Sequence, residues 1–131
     1  MRKDIIIDEV TGLEMAVVSE FNTSENSENW YVYLINKKDI DLDMVMVVSQ
    51  GFSETKTTTV FRKKFEQIKA NSSIKVELIH HDLFALDNRF LVSFFEGNKI
   101  YEKVFLFQRN TIKEGNLRMI PILNLRGVIV N

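Results

Sequence analysis

Two short clusters carry side chains that could bind a metal ion. In Asp39-Ile-Asp-Leu-Asp43 three carboxylates stand at alternate positions, as they do at the start of a helix–loop–helix calcium site. That site also needs a glycine at its sixth position and a glutamate at its twelfth, and here Met44 and Gln50 stand there. We therefore expect a solvated acidic loop that leads into a strand.

The second cluster, His80-His81-Asp82, contains both histidines of the chain. If these residues continue a strand, adjacent side chains point to opposite faces, so His80 and His81 do not reach one ion together. His80 and Asp82 would share a face, but two ligands do not complete a transition-metal site. We expect a pair of histidines at a strand end and no bound metal.

Other reactive patterns are incomplete. Ser49-Gln-Gly-Phe-Ser53 lacks the spacing of a Gly-x-Ser-x-Gly nucleophile turn, and the five glycines lie too far apart to form a phosphate-binding loop. The absence of cysteine excludes disulfides, thiolate catalysis and zinc–thiolate sites. A triad assembled from distant residues is the remaining route to catalysis. The prediction is that the protein is not an enzyme and has no cofactor.

Length and charge limit the partners. With 131 residues, of which 45% are hydrophobic, the chain fits a single domain over 1–131. The net charge of −1 gives no overall attraction to nucleic acid or to an anionic membrane. A basic cluster does surround Phe61 and Phe65, but their spacing favours burial beneath a lysine face over base stacking. The first nine residues contain only three consecutive apolar residues, too few for a signal sequence, so we expect a cytoplasmic protein without nucleic-acid or membrane partners.

The fold is predicted from the turns. Turn residues recur about every 8–12 positions, which is typical of an all-β antiparallel sandwich, here with seven to nine strands. The clearest hairpin joins 89–95 to 99–108 through Glu96-Gly-Asn98. Segment 60–70 has two alternatives: Phe61, Phe65 and Ile68 have the i, i+4, i+7 spacing of a short helix, whereas the preceding threonines favour a continuing strand.

The strand pattern, with Trp30 in an early central strand, resembles an immunoglobulin-like sandwich. The cysteine pair of antibody domains is absent, and the resemblance implies architecture alone, without a function. Because Trp30 opens the strongest strand, we expect it to lie in the core.

Several strands are apolar on both faces, which is unusual for a sheet with one solvated side. If Trp30 and Phe90 face the core, strand alternation places other large side chains on the outside. These define a predicted interaction surface: Tyr31, Tyr33, Ile35, Leu91 and Phe95. The alternative is that the tail or segment 60–70 covers these residues within the chain.

The leading hypothesis is a non-enzymatic protein–protein association module, a homo-oligomer or a binder of another protein, most simply a homodimer. The alternative is a small-molecule binding module with a Phe-lined cavity between the sheets. An enzyme with a dispersed carboxylate or histidine site is the third hypothesis.

Overall fold

The computed structural model describes residues 9–131, so the Ile5–Ile7 run considered for a signal sequence lies outside the described residues. The described chain is all-β, with two short 3-10 turns at His81–Ala85 and Glu114–Asn116. Its strands are β1 Leu13–Asn22, β2 Ser27–Asn36, β3 Leu42–Phe52, β4 Phe61–Ile68, β5 Ser72–Ile79, β6 Asp87–Glu96, β7 Lys99–Phe107, β8 Arg118–Ile120 and β9 Leu125–Val130.

The strands form two antiparallel sheets. The five-stranded sheet has the order β5-β2-β1-β9-β8, and the four-stranded sheet has the order β4-β3-β6-β7. Their inner faces pack together, because side chains of both sheets belong to one buried cluster. This confirms the predicted all-β antiparallel sandwich, and the strand number is at the upper end of the predicted range.

The core is built by strand alternation. Phe90, Phe94, Phe105 and Phe107 point inward from β6 and β7, and all four are almost completely buried. The opposite sheet contributes smaller side chains, chiefly Met15, Val17, Val32 and Leu34. Each such buried side chain stabilises the fold by about 1.5–3 kcal/mol.

Segment 61–68 is a strand, so the helix alternative for 60–70 is wrong. Phe61 and Phe65 lie four residues apart, and an even spacing places both on one face of a strand as well as on one face of a helix turn. Ile68 also reaches the core. Its pairing partner Leu42 is buried, and so is Val45, which pairs with Phe65. The alternation of inward and outward side chains is interrupted around Met44, where the pairing of β3 with β6 is irregular.

The β6–β7 hairpin is confirmed. Gly97 has φ 62° in the two-residue turn, and Glu96 pairs with Lys99 across it. Pro121 lies in the turn between β8 and β9 and so outside the ladder, as its missing N–H requires.

Trp30 is half-buried at the margin of the core and not in its centre. Its indole makes an edge-to-face contact with Phe84, with ring centroids 5.3 Å apart. The Trp30 side chain therefore points toward the core, as expected, but it is less buried than expected. The reason is that Trp30 pairs with Ile79, the residue at which β5 ends.

Candidate functional site

The predicted interaction surface is divided between the two sheets. Tyr31, Tyr33 and Ile35 lie on β2 of the five-stranded sheet, whereas Leu91 and Phe95 lie on β6 of the four-stranded sheet. The five residues therefore do not form one surface, and that prediction is wrong. Strand alternation identified which side chains leave the core but gave no information on which sheet each strand joins.

Ile35 is completely buried, which corrects its assignment to an exposed surface. It belongs to a second small cluster with Ala16, Val18 and Ile120, on the side of the five-stranded sheet away from the core. Leu123 and Leu125 pack against the same cluster. The C-terminal tail thus covers this part of the sheet face within the chain, as one of the two alternatives predicted, whereas Leu78 on the same face is 52% exposed.

The two tyrosines of β2 have partners in their own sheet. The Tyr33 hydroxyl donates a hydrogen bond to the Glu20 carboxylate, and burial together with that bond raises the pKa of Tyr33 well above its usual range. The Lys75 ammonium lies 3.9 Å from the Tyr31 ring centroid and 3.2 Å from a Glu20 carboxylate oxygen. These contacts form a polar network at the edge of the covered face.

The outer face of the four-stranded sheet is different. Seven apolar side chains point outward from this sheet by strand alternation, and we call them the open apolar face. They are Met46, Val48, Leu91, Phe95, Ile100, Val104 and Leu106. Ile100, Val104 and Leu106 are exposed by 57%, 47% and 40%. Among residues 9–131, none of the seven belongs to either buried cluster. Leu91 and Phe95 of the predicted surface lie here.

Charges at the two edges of this face have opposite sign. The pairing places Lys64, Met46, Ser93 and Glu102 in one cross-strand row, from β4 at one edge to β7 at the other. Lys64 and Glu102 are both exposed and lie about 14 Å apart, three strand spacings of roughly 4.8 Å. Within the described chain neither forms an ion pair.

The Asp39–Asp43 run has structural partners. Asp41 Oδ1 accepts a hydrogen bond from the Ala70 backbone N–H at 2.7 Å, and Asp43 Oδ1 accepts one from Gln67 Nε2 at 3.0 Å. Asp39 Oδ1 accepts one from Asn71 Nδ2 at 3.3 Å. The three carboxylates connect this loop to the β4–β5 turn instead of converging on one point.

The histidine pair is arranged differently from the prediction. The His80 and His81 rings stack with centroids 4.4 Å apart, because β5 ends at Ile79 and a 3-10 turn begins at His81. The expectation that they point to opposite faces is therefore wrong. One ligand atom from each of His80, His81 and Asp82 lies within 4.8 Å of the others, and all three residues are exposed. The absence of a bound metal stays a prediction.

Arg109 forms ion pairs with two carboxylates at once. Its guanidinium contacts an Asp87 oxygen at 3.1 Å and a Glu54 oxygen at 2.9 Å, and its backbone N–H donates to Asp87 at 2.7 Å. Hydrogen bonds from Arg109 lower the pKa of both carboxyl groups and raise that of Arg109 itself. This group connects the start of β6 to the loop that follows β3.

A cleft opens between the sheets at the β3–β5 side of the sandwich, with a volume of about 140 Å³. We call it the Glu77 cleft. Its lining includes Ser49 and Glu77 with apolar walls from Phe61, Ile79 and Phe90. The Ser49 hydroxyl donates to Glu77 Oε2 at 3.0 Å, which links the two sheets. Burial raises the pKa of the Glu77 carboxyl, and the Ser49 hydrogen bond opposes that shift.

Strand alternation alone does not predict the inward direction of Glu77. In a regular strand Glu77 would share the solvent side with Lys75, but the β2–β5 register shifts between Val32 and Tyr33. Beyond the shift Glu77 pairs with buried Val32, so it faces inward. No residue in the segment signals this irregularity.

These features define a nine-stranded antiparallel sandwich with one partly covered outer face, one open outer face and a cleft between its sheets. No protein-family model, curated protein or solved structure matches the chain. No helix within residues 9–131 has the length and apolar character needed to cross a bilayer.

Proposed function

We propose that this protein is a non-enzymatic association module that forms a symmetric dimer through the open apolar face. The contrast between the two outer faces carries this proposal. The tail covers Ala16, Val18 and Ile35 on the outer side of the five-stranded sheet, whereas the seven apolar side chains of the four-stranded sheet have no such cover among residues 9–131. Contiguous exposed apolar surface of this kind marks interaction sites.

Charge complementarity favours a second copy of the chain as the occupant. A two-fold axis parallel to the strands lays β4 of one copy over β7 of the other and keeps each cross-strand row at the same height. Lys64 then meets Glu102 of the second copy, and the contact occurs twice because the interface is isologous. An axis perpendicular to the strands would place β4 over β4 and bring Arg62 and Lys64 against like charges.

The dimensions of the face predict a weak dimer. Four strands at about 4.8 Å spacing and seven residues at about 3.3 Å rise give a flat footprint on the order of 400 Å². A standard interface buries roughly 800 Å² of accessible surface on each partner. We therefore expect a dissociation constant on the order of micromolar.

Met44, two residues before Met46 in β3, supports the same proposal. It is exposed and has φ 49°, a left-handed conformation that costs a residue with a side chain roughly 1–2 kcal/mol. The other non-glycine residues with positive φ in the described chain are all asparagines, which tolerate it. A strained, exposed methionine beside an apolar surface is typical of a contact position.

The immunoglobulin-like part of the fold belongs to this proposal. Strands β1, β2 and β5 in one sheet and β3, β6 and β7 in the other have the order of strands A, B, E and C, F, G of such domains, with β8 and β9 added beside β1. Cytoplasmic residence and the lack of nucleic-acid partners also belong to it, supported by a cysteine-free chain of net charge −1.

Leu91→Glu tests the proposal, because Leu91 lies on the central strand β6 and meets Val48 of the second copy, so that two carboxylates enter the centre of the proposed interface. Leu78→Glu is the matched control: it is the same substitution at an exposed leucine of the opposite sheet. Sedimentation velocity from about 10 to 200 μM should show dimers for the wild type and Leu78→Glu and monomers for Leu91→Glu. A wild-type monomer throughout, or equal effects of both substitutions, would overturn the proposal.

A further inference from the structure

We infer that the Glu77 cleft binds a small primary ammonium compound with a short apolar tail, and that the Glu77 carboxylate is its charge partner. This site lies between the sheets and not on the open apolar face, so the inference is independent of dimer formation.

The first step is the inward direction of Glu77. The residue pairs with Val32, whose side chain is completely buried, and is followed on the same face by Ile79, which is also buried. Among residues 9–131, Glu77 is the one acidic residue that lines the cleft. A carboxylate on the inner face of a sandwich is costly unless a partner compensates the loss of water.

The second step is the absence of a cationic partner within the described chain. Ser49 supplies the one side-chain hydrogen bond to Glu77, and no Lys, Arg or His of residues 9–131 forms an ion pair with it. Lys63 stands on the inward face of β4 beside Val47, but its Nζ lies 5.9 Å from the Phe65 ring centroid. The cleft therefore has a negative site and no cation from residues 9–131 to fill it.

The third step is the pairing of the other polar groups. Thr58 Oγ1 accepts from the Gly51 backbone N–H at 2.9 Å, and Asn88 Nδ2 donates to the Leu83 carbonyl at 2.8 Å, so both of these groups have partners. The Glu77 carboxylate and the Ser49 hydroxyl oxygen stand together as two adjacent acceptors, because one hydrogen bond joins them. An ammonium group has three donors and no acceptor, so it matches this pair of acceptors, whereas an anion does not.

The walls determine the rest of the compound. Phe61, Ile79, Leu83 and Phe90 offer apolar and aromatic contacts, and aromatic rings also favour a nearby cation. The volume of about 140 Å³ equals roughly five waters at ~30 Å³ each. A tail of about four carbons therefore fits, and n-butylammonium is the simplest probe.

The test is a titration of the ¹⁵N-labelled protein with n-butylammonium chloride up to about 50 mM, with n-butanol as the neutral compound of the same shape. We expect saturable amide shifts at Ser49, Gly51 and Ile79, and at least tenfold weaker binding of butanol. Glu77→Gln should weaken butylammonium binding by at least tenfold. Glu28→Gln, an exposed glutamate that does not line the cleft, should leave it unchanged.

Absence of saturable shifts, equal binding of butanol, or wild-type affinity in Glu77→Gln would each overturn the inference. If Glu77→Gln does not give the dispersed spectrum of a folded protein, Ser49→Ala replaces it. Because Ser49→Ala removes one of the two acceptors, unchanged affinity in that variant would overturn the inference too. Shifts confined to Leu91 and Val104 would also do so, and they would leave the dimer proposal intact.

Discussion

Ile120 and Ile35 belong to one buried cluster on the outer side of the five-stranded sheet, together with Ala16 and Val18. Eighty-five residues of sequence separate the two side chains, so this cluster exists only once the tail has returned along β1 as β9. It explains why the two outer faces of the sandwich differ although both are apolar in sequence. The tail closes part of one face, and residues 9–131 leave the other open.

The tail contact should stabilise the fold. Ile120 is 2% exposed, and truncation of a buried isoleucine leaves a cavity, so Ile120→Ala should lower the free energy of unfolding by about 2–5 kcal/mol. Ile122→Ala, at a position that is 40% exposed two residues away, should cost less than about 1 kcal/mol. Urea unfolding measures both. Similar losses in the two variants would contradict the closure of this face by Ile120.

Gly127 should be required for the close approach of β9 to β1. A Cβ at this position would lie 2.8 Å from the Val17 carbonyl oxygen and 2.9 Å from the Ile120 Cδ1. Gly127→Ala should therefore destabilise the protein by roughly 1–3 kcal/mol through overpacking. Gly115→Ala is the control, because a Cβ there meets no atom within 4 Å. Thermal unfolding compares them, and equal melting temperatures of the two variants would disprove the close packing.

Glu77 should make stability depend on pH. Burial raises its pKa in the folded state, so the folded protein holds this proton more tightly than the unfolded chain does. The associated stability is present below the unfolded pKa, about 4.5, and is lost as the pH rises through the folded pKa. The wild type should therefore lose stability between pH 4 and pH 7 relative to Glu77→Gln. The free energy of unfolding of Glu77→Gln minus that of the wild type should increase over this range.

Urea unfolding at both pH values tests this, with Glu28→Gln as a control that should show no such change. A wild type that gains stability over Glu77→Gln as the pH rises would show that the pKa of Glu77 is lowered, contrary to its burial.

Local residue types were sufficient to predict part of this structure. The alternation of apolar residues from Phe90 to Phe94 and the turn at Gly97 determine the β6–β7 hairpin, because both its register and its turn depend on neighbouring residues. The outward direction of Leu91 and Phe95 follows from the same alternation.

The rest depends on contacts that are distant in sequence. The register shift beside Tyr33 turns Glu77 inward, and the irregularity near Met44 brings Ile68 to the core, yet neither has a local signature. Tail packing on Ile35 and the distribution of strands between two sheets are likewise non-local. The predicted surface therefore contained correct outward residues but combined residues of opposite faces.

We propose that two copies associate through the open apolar face with Lys64 of one against Glu102 of the other. Lys64→Glu and Glu102→Lys each place like charges together at two symmetric contacts. Sedimentation equilibrium should show that each single variant raises the dissociation constant by about tenfold or more, roughly 1.4 kcal/mol, and that the double variant returns it to within about threefold of wild type. A double variant whose loss equals the sum of the two single losses, or a wild type that stays monomeric to about 200 μM, would contradict the claim.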